Sequence, residues 1–143
     1  MLITDVALTP YTHAQFEKIA SKGCEVVVLL PESRRDIGRG VKEYESRSHA
    51  YKILYSRVRK MWYGKHALID LKNILKKEEP DVLVIVWPYL LHLFFDRTIL
   101  YTINGNKIHL IVREIPFQTP PFGKLNYYTQ HPAYDEDLSL LST

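Results

Sequence analysis

The chain has little of what marks several large protein classes. Cysteine occurs once, as Cys24, which excludes an internal disulfide framework and a cysteine-based zinc site. Its place at the start of an apolar run favours an inert core thiol. The chain opens without a basic region, so no secretory signal is expected. The longest apolar stretch, Val82 to Phe95, is interrupted by Pro88 and His92 and is shorter than the ~20 residues that a membrane-spanning helix needs. These absences predict a cytoplasmic protein.

Phosphate-binding and metal-binding patterns are also missing. The sequence contains neither the Gly-x-Gly-x-x-Gly fingerprint of dinucleotide-binding domains nor the Gly-x-x-x-x-Gly-Lys-Ser/Thr loop. His92, His109 and His131 fall in different predicted elements without metal-ligand spacing. No acidic cluster follows the first strand beyond Asp5, which disfavours a receiver domain. We therefore expect neither a metal nor a bound cofactor.

Positive charge is concentrated in the middle of the chain. Residues 34–77 contain 13 basic and four acidic side chains, a net charge of +9, whereas the whole chain carries +3. Such asymmetry is typical of a surface that meets an anionic partner, for example acidic lipid headgroups or phosphates. A solvated basic face is the alternative. Nucleic acid is disfavoured as a partner, because no known nucleic-acid-binding motif accompanies the charge.

The most informative stretch is the apolar run from Val82 to Val86, which lies between Pro80 and Pro88. Four of its five residues are β-branched, which favours a strand over a buried helix. A strand with no polar side is expected to be covered on both faces, as in parallel sheets. Pro88 cannot continue a ladder and disfavours a helical backbone at Trp87. The strand is therefore predicted to end at Trp87-Pro88-Tyr89.

Two strands and a helix precede this run. Residues 2–8 and 24–30 are predicted strands, since both are short and apolar. Between them, Thr12 and Gln15 form a capping-box pattern that predicts a helix start. Gly23 is placed to end the helix in a left-handed cap. Strand, helix and strand together predict a right-handed parallel βαβ unit.

The basic middle region contains two competing patterns. Residues 31–46 are predicted to be mainly loop, with a short third strand near Val41–Tyr44. Apolar residues at helical spacing predict a basic amphipathic helix over residues 47–62, although the alternation over residues 51–55 also fits a short strand. On this helix, Arg57, Arg59 and Lys60 are the candidates for contact with an anionic surface, which includes an anionic membrane.

The second half of the chain alternates between helix and strand. Beyond the central strand, the pattern predicts helices over residues 65–79 and 89–103, a strand over 107–113, and an irregular tail from about 119 to 143. The sum is one α/β domain over residues 1–143, a three-layer, Rossmann-like, doubly wound parallel sheet with strand order 3-2-1-4-5.

This order predicts a ligand-binding crevice. The first strand and the 82–86 strand become neighbours at the point where strand order reverses, and ligands bind beyond the carboxyl ends of such strands. The residues expected at the crevice are Thr9, Tyr11 and His13 on one side, Trp87 and Tyr89 on the other, and Arg113 and Glu114 beside them. His13 and Glu114 are the candidates for acid–base chemistry. The alternatives are a surface histidine and a salt bridge that holds the next loop.

The same elements resemble the amino-terminal domain of a GT-B glycosyltransferase of the family-four type. The resemblance covers about residues 1–118 and is most characteristic in Leu75-Lys76-Lys77-Glu78-Glu79-Pro80-Asp81-Val82-Leu83-Val84. A helix ending at Lys22-Gly23 and a last strand ending at Arg113-Glu114 also match. Thr9-Pro10-Tyr11 replaces the family's glycine pair, and Arg113-Glu114 stand where the family often has a histidine.

The resemblance implies the acceptor-side half of a two-domain enzyme. The nucleotide-sugar donor would bind mainly to a carboxyl-terminal domain or subunit, and this chain would bind the glycan, lipid or other hydroxyl acceptor. The isolated chain would be inactive, because the donor domain is missing. The alternative is a non-catalytic Rossmann-like or flavodoxin-like binding module.

Overall fold

The computed structural model describes residues 1–32 and 49–113, in which strands and helices alternate. The elements in chain order are β1 (Leu2–Thr4), α1 (Pro10–Ala20), β2 (Val27–Pro31), β3 (Lys52–Ser56), β4 (Val58–Lys60), β5 (His66–Leu68), α2 (Leu71–Glu78), β6 (Val82–Val86), α3 (Trp87–Phe95), α4 (Arg97–Gly105) and β7 (His109–Arg113).

Five strands form one parallel sheet in the order β3-β2-β1-β6-β7. The predicted α/β class with a doubly wound parallel sheet is thereby confirmed. The order differs from the predicted 3-2-1-4-5 only through β4 and β5, which pair with each other as a separate antiparallel hairpin. The order reverses between β1 and β6, where the prediction placed the crevice.

Side chains of the central strands alternate between two apolar layers. Leu83 and Ile85 of β6 are fully buried and pack in the cluster that contains the apolar residues of α2, α3 and α4. Ile3 and Val28 point to the opposite layer, where Phe16 of α1 fills the core. Helices therefore cover both faces of the sheet, which explains why β6 carries no polar residue.

The predicted helix over residues 47–62 is wrong. Residues 52–56 form β3, which pairs with β2 from Val27↔Lys52 to Pro31↔Ser56, and residues 58–60 belong to the hairpin. The alternation over residues 51–55 prevails because a neighbouring strand satisfies its backbone groups, a tertiary contact that helical spacing cannot show. The strand predicted near Val41–Tyr44 lies outside the described residues.

Two predicted helix starts are displaced. Helix α1 begins at Pro10 with Thr9 as its N-cap, and Thr12 is the reciprocal partner of the capping box rather than the cap. Helix α2 begins at Leu71 instead of residue 65, because residues 66–68 pair with β4. Helix α1 therefore begins earlier than predicted, because Thr9 caps it one turn before Thr12, and helix α2 begins later, because hairpin pairing takes residues 66–68.

The helix predicted over residues 89–103 is two helices. Asp96 interrupts it with a non-helical backbone, and its carboxylate accepts a hydrogen bond from the Thr98 N–H (3.0 Å) at the start of α4. Helix α3 begins at Trp87, so the prediction that Trp87 leaves the helical region is wrong. Pro88 lies in the first turn, where its missing N–H removes no helical hydrogen bond.

Cys24 is exposed, so the predicted core thiol is wrong. Strand β2 begins only at Val27, and Cys24 directly follows the turn that ends at Gly23, which has a φ of +86°. Glu114 and the predicted irregular tail lie outside the described residues. Among the helices described, none has the length and apolar character needed to cross a bilayer.

Candidate functional site

The backbone ladder between β1 and β6 ends early at the point where the strand order reverses, and we call this end of the strand pair the opening. Strands β1 and β6 form only two backbone pairs, Leu2↔Leu83 and Ile3↔Val84. Beyond them the Thr4 hydroxyl donates to the Val84 carbonyl (3.3 Å) and accepts from the Val86 N–H (3.1 Å). A side chain therefore takes the place of the backbone ladder at the carboxyl ends of these two strands.

An ion pair bridges this opening from β7 to the loop after β1. Asp5 is only 2% exposed, and its Oδ2 accepts from Arg113 Nη2 at 2.6 Å. Asp5 Oδ1 accepts from the Val6 N–H at 2.8 Å. The guanidinium carbon of Arg113 also lies 5.5 Å from the centre of the Phe16 ring. Arg113 thus fixes the loop that follows β1, with a partner, Asp5, that was not among the predicted site residues.

The environment of Asp5 acts on its pKa in two directions. Burial raises the pKa of this carboxyl above its ordinary value, while the charge and the hydrogen bond of Arg113 act to lower it. The raised pKa shows that burial has the larger effect. The ion pair therefore holds a carboxyl that is costly to bury in its charged form.

The predicted residues on the α1 side have different roles. Thr9 caps the helix: its N–H donates to Thr12 Oγ1 (2.9 Å) and its Oγ1 accepts from the Thr12 N–H (3.2 Å). Tyr11 is 65% exposed, and its hydroxyl accepts from Gln15 Nε2 at 3.0 Å. Thr9 is engaged in the fold, whereas the ring of Tyr11 is accessible.

The two predicted residues after β6 also lie in different environments. Trp87 is partly buried at the start of α3, and its buried Nε1–H has no hydrogen-bond partner in the described part of the chain. Tyr89 is 3% exposed and lies in the core cluster with Leu93. Tyr89 therefore contributes to packing, and Trp87 is the aromatic residue at the end of β6 with an unsatisfied polar group.

His13 is held in a group that the sequence pattern did not indicate. Its Nδ1 lies 2.8 Å from the Tyr51 hydroxyl. The His49 ring stacks on Tyr51 with centroids 4.8 Å apart, and the centroids of His13 and His49 are 5.2 Å apart. Glu17, one turn after His13, accepts from the Ala50 N–H at 2.9 Å. The spacing of His13 and Glu17 was the visible signal, but nothing in the sequence connects them with His49.

The three predicted anion-contact residues lie in and beside the hairpin. Arg57 forms a salt bridge with Asp70, with Nη2 to Oδ1 at 2.6 Å and Nε 3.2 Å from each carboxylate oxygen. These hydrogen bonds lower the pKa of Asp70. Arg59 and Lys60 of β4 are exposed. The positive charge of Arg57 is thus neutralised locally, while that of the other two faces solvent.

Aromatic rings accompany these charges at the hairpin tip. Trp62 is 80% exposed and Phe95 is 51% exposed, with ring centroids 5.1 Å apart. The Tyr63 ring stacks on Phe95 at 4.7 Å. We call the set of Arg59, Lys60, Trp62, Tyr63 and Phe95 the hairpin patch. It is apolar and basic at once, which is the composition of surfaces that meet anionic interfaces.

A pocket of ≈ 350 Å³ lies at the opposite end of the strands, near the amino ends of β1, β2 and β6. Its walls include Met1, Cys24, Glu79, Pro80 and Asp81. None of the predicted site residues lines it. The pocket and the carboxyl-end opening are therefore separate features.

No family model matches this chain. Comparison with curated proteins gives no match, and neither does comparison with solved structures. The likeness to GT-B glycosyltransferases is therefore a hypothesis that depends on the residues quoted for it.

Proposed function

We propose that the chain is the acceptor-binding domain of a glycosyltransferase that works with a donor-binding domain or subunit. The observation that carries this proposal is the opening between β1 and β6, where the Thr4 hydroxyl replaces the backbone ladder. Doubly wound domains bind ligands at this position of the sheet. A hydroxyl-bearing acceptor would meet the loop after β1 on one side and Trp87 on the other.

The described residues suit positioning more than bond-making. The Asp5–Arg113 ion pair holds the loop after β1, and Trp87 offers a partly exposed aromatic ring. Such groups orient an acceptor and stabilise developing charge. The nucleotide-sugar donor would come with the companion domain. His13 and Glu114 keep their place as candidates for acid–base chemistry.

The exposed strand β7 supports the proposal that a companion domain or subunit binds this chain. Leu110, Ile111 and Val112 of β7 are 40%, 49% and 50% exposed. Apolar edge strands are normally covered, because they otherwise invite aggregation. A second domain or subunit placed beside this edge would supply the cover.

Acceptor binding can be tested by titrating the isotope-labelled chain with simple glycosides and with nucleotide sugars, and following amide chemical shifts. We expect glycosides to shift the amides of residues 5–9 and of Trp87, and nucleotide sugars to shift none of them. Trp87→Ala should weaken glycoside binding by about tenfold, since ~1.4 kcal/mol of contact is lost. Tyr101→Ala, which removes another aromatic ring, 71% exposed on α4, is the matched control and should leave binding unchanged.

Two results would count against this function. Binding of a nucleotide or nucleotide sugar at the carboxyl-end opening, with no response to glycosides, would favour the alternative of a non-catalytic Rossmann-like binding module. Sugar transfer by the purified chain alone would contradict the expected need for a donor-binding companion.

The hairpin patch favours a second element of the proposal, peripheral contact with an anionic membrane surface from the cytoplasmic side. Trp62 and Phe95 expose apolar rings, and the exposed basic residues Arg59 and Lys60 precede Trp62 in the chain by three and two positions. Aromatic rings enter the headgroup region while basic side chains meet anionic lipids. Such contact would bring the domain to a lipid-linked acceptor.

Membrane contact can be measured by co-sedimentation with phosphatidylserine–phosphatidylcholine vesicles. The double variant Arg59→Gln with Lys60→Gln should bind about 30-fold more weakly, because each basic residue near the surface contributes about 1 kcal/mol. Lys76→Gln with Lys77→Gln makes the same charge change on α2 and should bind as the wild type does. Equal weakening by both pairs would indicate a general effect of net charge and would contradict the role of the hairpin patch.

A further inference from the structure

The group around His13 contains a set of metal-ligating side chains from two distant parts of the chain. His13 and Glu17 lie one helical turn apart on α1, and His49 precedes β3. One ligand atom from each residue can be chosen so that all three lie within 4.8 Å of one another. Two imidazoles and one carboxylate are a donor set that suits Zn²⁺.

The distances fit a site that closes by small side-chain movements. In a tetrahedral zinc site with bonds of 2.0–2.1 Å, ligand atoms are about 3.4 Å apart. The three ligand atoms lie within 4.8 Å of one another. Each pair therefore has to approach by at most about 1.4 Å to reach zinc geometry, a distance that rotation of the side chains can cover. Residues four apart on a helix present their side chains on one face, so a single ion can bind His13 and Glu17 together.

His49 is the strongest sign of a missing partner. Both of its ring nitrogens are buried, and neither has a hydrogen-bond partner within residues 1–32 and 49–113. A buried polar group without a partner destabilises the folded chain. A metal ion bound to one imidazole nitrogen would satisfy that nitrogen in a site where the described residues supply no partner.

Neighbouring groups already hold two of the ligands. Glu17 is anchored by the Ala50 N–H, which joins α1 to the segment that carries His49. The Tyr51 hydroxyl lies 2.8 Å from His13 Nδ1. When Nδ1 carries the proton and donates to Tyr51, the lone pair is on Nε2, which becomes the metal-binding nitrogen. Hydrogen bonds of this kind orient histidine ligands in metal sites.

We propose that His13, Glu17 and His49 bind one Zn²⁺ ion, with a water molecule as the fourth ligand. The ion ties α1 to the start of β3 and supports the fold from the layer that contains Phe16 and Tyr51. The sequence pattern had predicted no metal, because His92, His109 and His131 lack metal-ligand spacing. The proposed glycosyltransferase function requires no metal in this domain, but His13 cannot bind Zn²⁺ and serve as an acid–base group at once, so a bound ion would leave Glu114 as the candidate for that role.

The site can be tested on the full chain after treatment with a chelator, by calorimetric titration with Zn²⁺ and by following the imidazole ¹⁵N chemical shifts. We expect one ion per chain and Zn²⁺-dependent shifts at His13 and His49. Glu17→Gln, which keeps an oxygen for the Ala50 N–H, and His49→Gln should each weaken binding by more than about 100-fold. Tyr51→Phe should weaken it by about tenfold, the lower range for loss of a supporting hydrogen bond.

His66→Gln and His109→Gln are matched controls, because both histidines are exposed and lie in other strands. Both should bind Zn²⁺ as the wild type does. Zn²⁺ should raise the melting temperature of the wild type and of both controls, but not that of Glu17→Gln. Wild-type affinity in Glu17→Gln and His49→Gln would overturn the proposal. If either variant fails to fold, wild-type spectra without Zn²⁺-dependent shifts at His13 and His49 would overturn it as well.

Discussion

Replacing Arg113 by methionine should lower the free energy of unfolding by about 3 kcal/mol at pH 7. Arg113 is the ion-pair partner of Asp5, whose side chain is 2% exposed. Methionine fills much of the same volume but cannot neutralise the carboxylate. Removal of one partner from a buried ion pair is costly by about 3–5 kcal/mol, because the other charge is left without compensation. The lower end applies here, since the side chain of Arg113 is 24% exposed.

The loss should depend on pH in a defined direction. Burial raises the pKa of folded Asp5 above its ordinary value of 3.8, so the folded chain keeps a proton over a range in which the unfolded chain has lost it. Stability from this group therefore falls as pH rises from about 4 through the folded pKa. Arg113 limits that fall by lowering the pKa. Without Arg113 the range extends upward, and the destabilisation should be smaller at pH 5 than at pH 7.

Urea unfolding of the wild type and of Arg113→Met at pH 5 and pH 7 would measure these losses of stability. Arg97→Met is the matched control, because Arg97 is exposed on α4. It should change stability by less than about 0.5 kcal/mol. Combining Arg113→Met with Asp5→Asn should cost less than the sum of the single changes, as expected for residues in contact. Equal losses for Arg113→Met and Arg97→Met would contradict the importance of the pair.

Leu83→Ala should destabilise the protein by about 3 kcal/mol, a typical loss for a buried leucine. Leu83 is fully buried in β6 and belongs to the core cluster formed with α2, α3 and α4. Helices cover both faces of this strand, so little relaxation can fill the cavity left by the missing atoms. The free energy of unfolding from urea titration is again the measurement.

Leu110→Ala is the matched control for the central strand. It makes the same change in β7, where the side chain is 40% exposed. Less apolar surface is removed from water there, so the cost should be below about 1 kcal/mol. A loss at Leu110 as large as that at Leu83 would show that the central position of β6 does not determine the effect.

The opening of the sheet shows how far a sequence pattern can lead. Parallel order and the reversal point could be predicted, because continuous apolar runs such as Val82–Val86 require cover on both faces. The detail at that point could not. The Thr4 hydroxyl bonds to the backbone of Val84 and Val86, and Arg113 binds Asp5, which is 108 positions away in the chain. The local spacing of residues does not indicate such long-range contacts.

The middle of the chain shows the opposite case. Residues 47–62 carry apolar side chains at helical spacing, yet residues 52–56 form β3 because they pair with β2 at five registered positions. Because this segment is not helical, Arg59, Lys60 and Trp62 lie on a hairpin rather than on a helix. Local preference for helix or strand is weak, and pairing with a neighbouring strand can reverse it.

By itself, the sequence determined the α/β class, the buried central strand and the edge of the sheet at which a ligand would be sought, because local apolar patterns record how many faces of an element are covered. Only the tertiary structure decided which side chains meet. It paired Arg113 with Asp5, buried Tyr89 in the core and brought His49 to His13 and Glu17. Such meetings depend on the path of the whole chain, and no short stretch of residues contains that information.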